Sequence, residues 1–320
     1  MKKETILAVD LGGTKILVGE VDRQGQILHS QRFPTDVSSQ KNAVAQLRKS
    51  IHAYLDQGET QGSIVALSVA VVGRVDSKRG IWFEIHPGNA QKIYLAELLT
   101  QEFKLPVFLS NDVTSAAYAE KSIGIGRKTE DFVYLNIGTG IAGRVVSQGE
   151  LLTGGHFNVG EIGHMVVDMH HPVTCLCGRQ GCVESFASGL GMSQEAQRLK
   201  DTISTTMTIG EGRVATEDLL TAYQKQDPLA TEVIVTAARG IAELIMNCVR
   251  LSDPEAVILG GGVMSSPVFY DLVMSQMNPK TIRFVTYGIQ QTSIDPRFIA
   301  LVGCGVRGFH FIKQEVLRIG

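Results

Sequence analysis

This sequence has no run that is both long and apolar enough to cross a membrane. The longest apolar stretch, Ile64–Val72, contains Ser68 and falls well short of the roughly 20 residues a spanning helix needs. Only a few apolar residues separate Met1-Lys2-Lys3-Glu4 from Asp10, too few for the core of a secretory leader, so a cytoplasmic protein is expected. Excess positive charge is lacking too. The net charge of −2 leaves no overall field to draw the chain to nucleic acid or an anionic membrane. The phosphate-loop pattern G-x-x-x-x-G-K-[ST] and a dinucleotide fingerprint are both absent. No low-complexity linker marks a domain boundary. With 44% hydrophobic and 19% charged residues, disorder is excluded as well.

What is present is alternation. Apolar runs at Ile6–Val9, Ile16–Val21, Ile64–Val72, Phe132–Asn136 and Ala256–Leu259 read as buried strands. Helical spacing appears over residues 43–55 (Val44, Leu47, Ile51, Leu55), at Leu95–Phe103, at Val113–Lys121, over 228–251 and at Phe298–Phe311. Strands alternating with helices predict an α/β protein. The chain's 320 residues suit two domains better than one core. A strand, a Gly-rich turn and a returning strand occur around Gly12-Gly13-Thr14 and again around Gly138-Thr139-Gly140. Each is followed by a second turn, at Gly25 and Gly149. This repetition predicts a duplicated domain. The boundaries read as 1–118 and 119–299, with a helix at about 300–320 packing back on the first domain.

Three glycine turns and one acid carry the chemistry. Phosphate binding needs backbone N–H groups aimed at one point and side chains that stay clear. Asp10 ends a buried strand directly before Gly12-Gly13-Thr14-Lys15. There a carboxylate can hold Mg²⁺ while the turn meets phosphate oxygens. Gly138-Thr139-Gly140 can do the same from the second copy. Gly260-Gly261-Gly262 follows a third strand and would let a base or ribose lie close to the backbone. Asp112 follows Asn111 at the end of the strand Pro106–Leu109. It reads equally as the base that takes a hydroxyl proton in phosphoryl transfer and as the N-cap of the following helix.

Five cysteines are present, and three crowd into Cys175-Leu176-Cys177-Gly178-Arg179-Gln180-Gly181-Cys182. Three thiolates this close can surround one tetrahedral Zn²⁺ in a structural site. His164, His170, His171 and His156 are candidates for the fourth ligand. Glu161 and Glu184 flank the cluster, and a metal-pinned loop would hold such groups still for recognition of hydroxyls.

The chain resembles the ROK family (repressors, open reading frames and kinases), within the sugar-kinase branch of the actin-like superfamily. The matching residues are Asp10-Leu11-Gly12-Gly13-Thr14-Lys15, Asn111-Asp112, Gly138-Thr139-Gly140-Ile141, Glu161-Ile162-Gly163-His164, Cys175-x-Cys177-Gly178-x-x-Gly181-Cys182-x-Glu184 and Gly260-Gly261-Gly262. The resemblance implies two ribonuclease H-like (actin-like ATPase) domains around a central cleft. It implies ATP-dependent, glucokinase-like phosphorylation of a hexose or N-acetylhexosamine, usually at the 6-hydroxyl. Asp112 is then the base. Asn111, Asp112, Glu161, His164 and Glu184 are sugar ligands, with Gly73 and Asn89 in segments near the sugar. His164 is also the fourth zinc ligand. Gly12, Thr14, Gly138 and Thr139 are phosphate binders. ATP, Mg²⁺ and a structural Zn²⁺ are implied, as is a homodimer or homotetramer. The glycine motif starts at Asp10 with no DNA-binding domain ahead of it, which favours the kinase branch. The alternative is a non-catalytic sugar sensor that binds a partner protein. The chain departs from the family at Ala142-Gly143-Arg144, where Gly-Gly-Gly is usual, and in residues 72–76 and 86–90.

Overall fold

The structure, a computed structural model, describes residues 2–58, 60–85, 88 and 90–319, with side chains up to residue 313. The chain forms two compact units. The first comprises Met1–Arg127, Thr153–Asn158 and Ser293–Gly320, and the second comprises Lys128–Leu152 and Val159–Thr292.

The first unit opens with β1 (Glu4–Leu11), β2 (Ile16–Val21) and β3 (Ile27–Phe33), followed by helix α1 (Gln40–Asp56). Then come β4 (Ser63–Val71), the short hairpin of β5 (Arg74–Asp76) and β6 (Ile81–Glu84), α2 (Leu95–Phe103), β7 (Val107–Asn111) and α3 (Asp112–Ile123). The main sheet has the order β3-β2-β1-β4-β7, antiparallel across β3-β2-β1 and parallel across β1-β4-β7. β1 is apolar on both faces because both are covered. Leu7, Val9 and Leu11 pack with Leu47 and Ile51 of α1, whereas Ile6 and Ala8 join clusters with residues near the C-terminus. Ser39 caps α1 by accepting the Asn42 N–H at 3.1 Å. The break in the chain falls after Arg127, beyond α3 rather than near residue 118 within it. α3 is continuous to Ile123, and the Gly124 N–H closes it onto the Ala119 and Glu120 carbonyls.

The second unit repeats the plan with β8 (Phe132–Ile137), β9 (Ile141–Ser147) and β10 (Glu150–Leu151). A long irregular segment leads to α4 (Glu184–Ala187), α5 (Gly189–Leu199), α6 (Thr216–Gln224) and α7 (Pro228–Ser252). The unit closes with β11 (Ala256–Gly260), α8 (Pro267–Ser275) and β12 (Ile289–Gln291). Its order, β10-β9-β8-β11-β12, repeats the strand directions of the first sheet. Asp227 caps α7 through the Ala230 N–H, and Pro228 occupies its first turn. The buried face of α7 (Ile234, Ala238, Ile241, Ile245) shares one core with Val133, Leu135 and Val257.

The last helix, α9 (Ile299–Ile319), belongs to the first unit and packs on α3, β1 and β4. Gly303, Gly305 and Gly308 are where it comes closest to its neighbours. A Cβ at Gly303 would lie 1.7 Å from the Ser115 carbonyl oxygen of α3. Gly303→Ala is therefore expected to lower stability by about 1–3 kcal/mol through overpacking. Urea denaturation reads this directly, and an unchanged midpoint would contradict the close packing of α3 and α9.

Candidate active site

In the first unit the parallel strands β1, β4 and β7 end at one edge, where the register aligns Asp10 with Ala70 and Ala70 with Ser110. Ligands of α/β sheets bind outside this carboxyl edge. Asp10 sits next to last in β1 and is partly buried. Burial pushes its pKa up to about 7, the nearby Asp112 carboxylate adds to the rise, and Lys15 opposes it. The turn that follows is pinned by the Gly12 N–H donating to the Lys15 carbonyl at 3.0 Å, so that N–H is not available to a phosphate. A Cβ on Gly13 would meet nothing within 4 Å, and neither Gly12 nor Gly13 has a positive φ. The fold itself does not require glycine at 13, which fits a position kept open for something outside the chain.

Asn111 ends β7 and is the N-cap of α3. Its Oδ1 accepts the Thr114 N–H at 3.0 Å, and its Nδ2 donates to the Gly73 carbonyl at 3.0 Å. The capping role considered for Asp112 thus belongs to Asn111. Asp112 is the first helical residue, and its Oδ1 accepts its neighbour Val113's N–H at 2.9 Å. A carboxylate in a helix's first turn is stabilised by the dipole. Gly73 holds φ +91° against the Glu84 and Ile85 carbonyls, so the fold dictates its place. Asn89 lies outside the described residues, as do His86 and Pro87.

In the second unit β8 and β11 end at a corresponding edge, with Asn136 paired to Gly260. The Gly138 N–H donates to the Gly140 carbonyl at 2.9 Å, closing the turn and using that donor. The carbonyls of Gly138 and Thr139 receive the N–H groups of Gly189 and Leu190, at the start of α5. Sequence reasoning missed this support, although Ser188-Gly189 before a helical run was its signal. Of the three glycines at the end of β11 and just beyond it, two are explained by packing. Gly260 makes room for the Tyr134 hydroxyl, and Gly261 has φ +89° against Ile137. A Cβ on Gly262 would meet nothing within 4 Å.

Glu184 begins α4, and its Oε2 accepts the Ile141 N–H at 2.7 Å. The same oxygen would lie 2.8 Å from a Cβ on Gly140 and 3.0 Å from one on Gly163. Glu184 is thereby a tie between the glycine turn and the loop that carries Glu161 and His164. Glu161 is exposed, and a single tight turn (Ile162–His164) follows it.

The ligand atoms of His164, Cys175, Cys177 and Cys182 all lie within 4.8 Å of one another. His164 Nδ1 is 3.2 Å from Cys175 Sγ, and Cys177 Sγ is 3.5 Å from Cys182 Sγ. Zn–S bonds of about 2.3 Å in a tetrahedron would separate two sulfurs by ~3.8 Å, so the donor set fits such an ion. The Arg179 backbone N–H helps lower Cys177 to about 6, while burial pushes Cys182 up to about 12. The other histidines are placed elsewhere. His171 is buried and stacks on Phe186, His170 is exposed, and His156 belongs to the first unit.

The ROK family model matches residues 6–291. The chain belongs to the ROK family. An N-acetylmannosamine kinase of Shigella flexneri is 34% identical over 265 residues, 81% of this chain and 83% of that protein. A ROK hexokinase from Thermus thermophilus superposes with a TM-score of 0.78 at 26% identity, covering 97% of this chain and 99% of that one. A ROK family glucokinase from Streptomyces griseus, solved with glucose and AMPPNP, gives a TM-score of 0.74 at 26% identity, covering 94% and 97%. The ROK α/β fold, with its two similar sheets, is therefore the fold of this chain. Among the described residues no helix is long and apolar enough to cross a membrane.

The raised Asp10 pKa has a stability consequence. The folded state keeps its proton to about 7, while the unfolded chain loses it near 3.8. The proton-linked stability is therefore full below pH 4 and is lost as pH rises to about 7. In metal-free buffer, Asp10→Asn is expected to be more stable than the parent at pH 8, by about 1–3 kcal/mol. The gap should close toward pH 4. Denaturation of both proteins across that range measures it, and a gap independent of pH would contradict the burial of this carboxylate.

Proposed function

We propose that this chain transfers the terminal phosphoryl group of MgATP to a hydroxyl of a hexose or N-acetylhexosamine. The observation that carries the reading is the pair Asp10 and Asp112. These two carboxylates interact at the carboxyl edge of one sheet, and one of them is held above its ordinary range. Two such groups in one place divide naturally into a cation holder and a proton acceptor. The names of the relatives give the substrate class: an N-acetylmannosamine kinase, a hexokinase and a glucokinase.

Asp112 takes the proton of the attacking sugar hydroxyl, usually the 6-hydroxyl, as that oxygen bonds to the γ-phosphorus. The bond from the γ-phosphorus to the bridging oxygen breaks, and ADP leaves with the electron pair. The Val113 N–H on Oδ1 orients the carboxylate for this step. Mg²⁺ supplies charge neutralisation of the phosphates, and Asp10 is the residue to hold it, directly or through water. Gly13, Thr14, Thr139 and Gly140 approach the phosphates, and Gly262 the nucleoside. Asn111, Glu161, His164 and Glu184 take the sugar hydroxyls. Glu184 gives one oxygen to the Ile141 N–H and keeps the other for substrate. His164 turns Nδ1 to the cysteines, and in this reading Nε2 serves the sugar. His164, Cys175, Cys177 and Cys182 would hold a structural Zn²⁺ that stiffens this loop.

Asp112→Asn is expected to lower sugar-dependent ADP release by about 10²–10⁴-fold while calorimetric sugar binding persists. Full activity in that variant would remove the base from the mechanism. Native mass spectrometry should find about one zinc per chain, and a strong chelator should lower the melting temperature because metal binding is coupled to folding. Active, folded protein free of metal would end the zinc assignment.

A further inference from the structure

Arg144 is a guanidinium on β9 that is only 7% exposed, in a position paired with Tyr134 of β8. Burying such a group is costly unless its donors are used. Its Nη1 donates to the Gly143 carbonyl at 2.6 Å. The same residue, through its other peptide group, is the strand's tie to the neighbouring loop, since the Gly143 N–H donates to the Gly160 carbonyl at 2.8 Å. Gly160 lies close against the guanidinium: a Cβ there would be 2.1 Å from Nη1 and 1.9 Å from the Gly143 oxygen. Gly160 also has φ +99°, a conformation few other residues hold. Directly after it come Glu161 and the tight turn Ile162–His164, a segment outside any sheet. The Ile162 side chain presses on the same strand, where a Cβ at Gly143 would be 2.6 Å from its Cδ1.

We infer that Arg144 is a positioning residue for sugar recognition: its buried guanidinium is the platform on which residues 160–164 rest, and it fixes where Glu161 and His164 stand. The substrate part of this inference rests on the sugar-kinase reading. Arg144 does not touch the sugar. It acts by holding the Gly143 carbonyl, on the residue whose N–H ties down Gly160, and by filling the space under Gly160. A residue without donors would leave the Gly143 carbonyl without this partner and let the loop shift. Shifts of this kind weaken recognition of a polyhydroxyl ligand that depends on fixed acceptors.

The test compares Arg144→Met, which keeps most of the volume and loses the donors, with Arg144→Lys, which keeps the charge and one donor nitrogen. For Arg144→Met the KM for the sugar is expected to rise about tenfold, while the KM for ATP stays within about twofold. Arg144→Lys should recover most of the difference. Amide hydrogen exchange should quicken over residues 160–164 in the Met variant and not over β11. A loss of kcat with both KM values unchanged would show a merely structural residue and overturn the inference, as would equal rises in both KM values. If the parent protein releases no ADP with any sugar, the kinase reading itself fails. Hydrogen exchange then decides the positioning role alone: faster exchange confined to 160–164 upholds it, and unchanged exchange overturns it.

Discussion

The contact between the Glu184 carboxylate and the Ile141 N–H, at 2.7 Å, organises the second unit's chemistry. Glu184 lies two residues after Cys182, so the thiol cluster and the carboxylate share one short segment. Its Oε2 fits between Gly140 and Gly163 only because neither carries a side chain. Glu184, next to the cysteine knot in sequence, thus bonds to the residue after the glycine turn and lies against the Glu161–His164 loop. A charge-assisted hydrogen bond of this kind is stronger than a neutral one and leaves a second oxygen for other use. The loop has no sheet pairing, so contacts to β9 and the four-donor cluster must fix it.

The first unit solves a different problem. Asp10 is placed by a strand that is apolar on both faces, which puts a carboxylate where solvation is poor. The burial that stabilises the sheet also raises the affinity of Asp10 for a proton, and a divalent cation would meet the same need. Asn111 serves the fold as a helix cap and as an anchor to Gly73, which holds Asp112 at the first position of α3. Helix geometry and the acid's placement are one feature.

Much of this was legible in the sequence. The strands that carry Asp10 and Asn136 near their ends, and the long helix that starts at Pro228, follow from apolar periodicity and capping residues. The repeated strand–turn–strand pattern anticipated two sheets with the same order. The cluster spacing named its three cysteines, and the fold brings His164 rather than His170 or His171 beside them. Other features were not legible. β5, β6 and β12 are three or four residues long, too short to show a period. α6 and α8, of nine residues each, went unread as well. Asn111 and Asp112 are both good caps, and only the backbone angles show that Asn111 fills the role. Glycine runs look alike in sequence whether they make room for a ligand or for the chain. Gly260 and Gly261 serve the chain, and Gly13 and Gly262 do not. Arg144 stood out as a bulky residue where small ones were expected, but its burial beneath Gly160 depends on tertiary packing.

Phosphorus NMR of the zinc-loaded protein with MgATP and a panel of hexoses and N-acetylhexosamines tests the central claim most directly. The account predicts a new phosphomonoester resonance that grows with ADP for at least one sugar. ATP should be nearly stable when sugar is omitted. Hydrolysis to inorganic phosphate at the same rate with every sugar and with none, by folded protein, would contradict it.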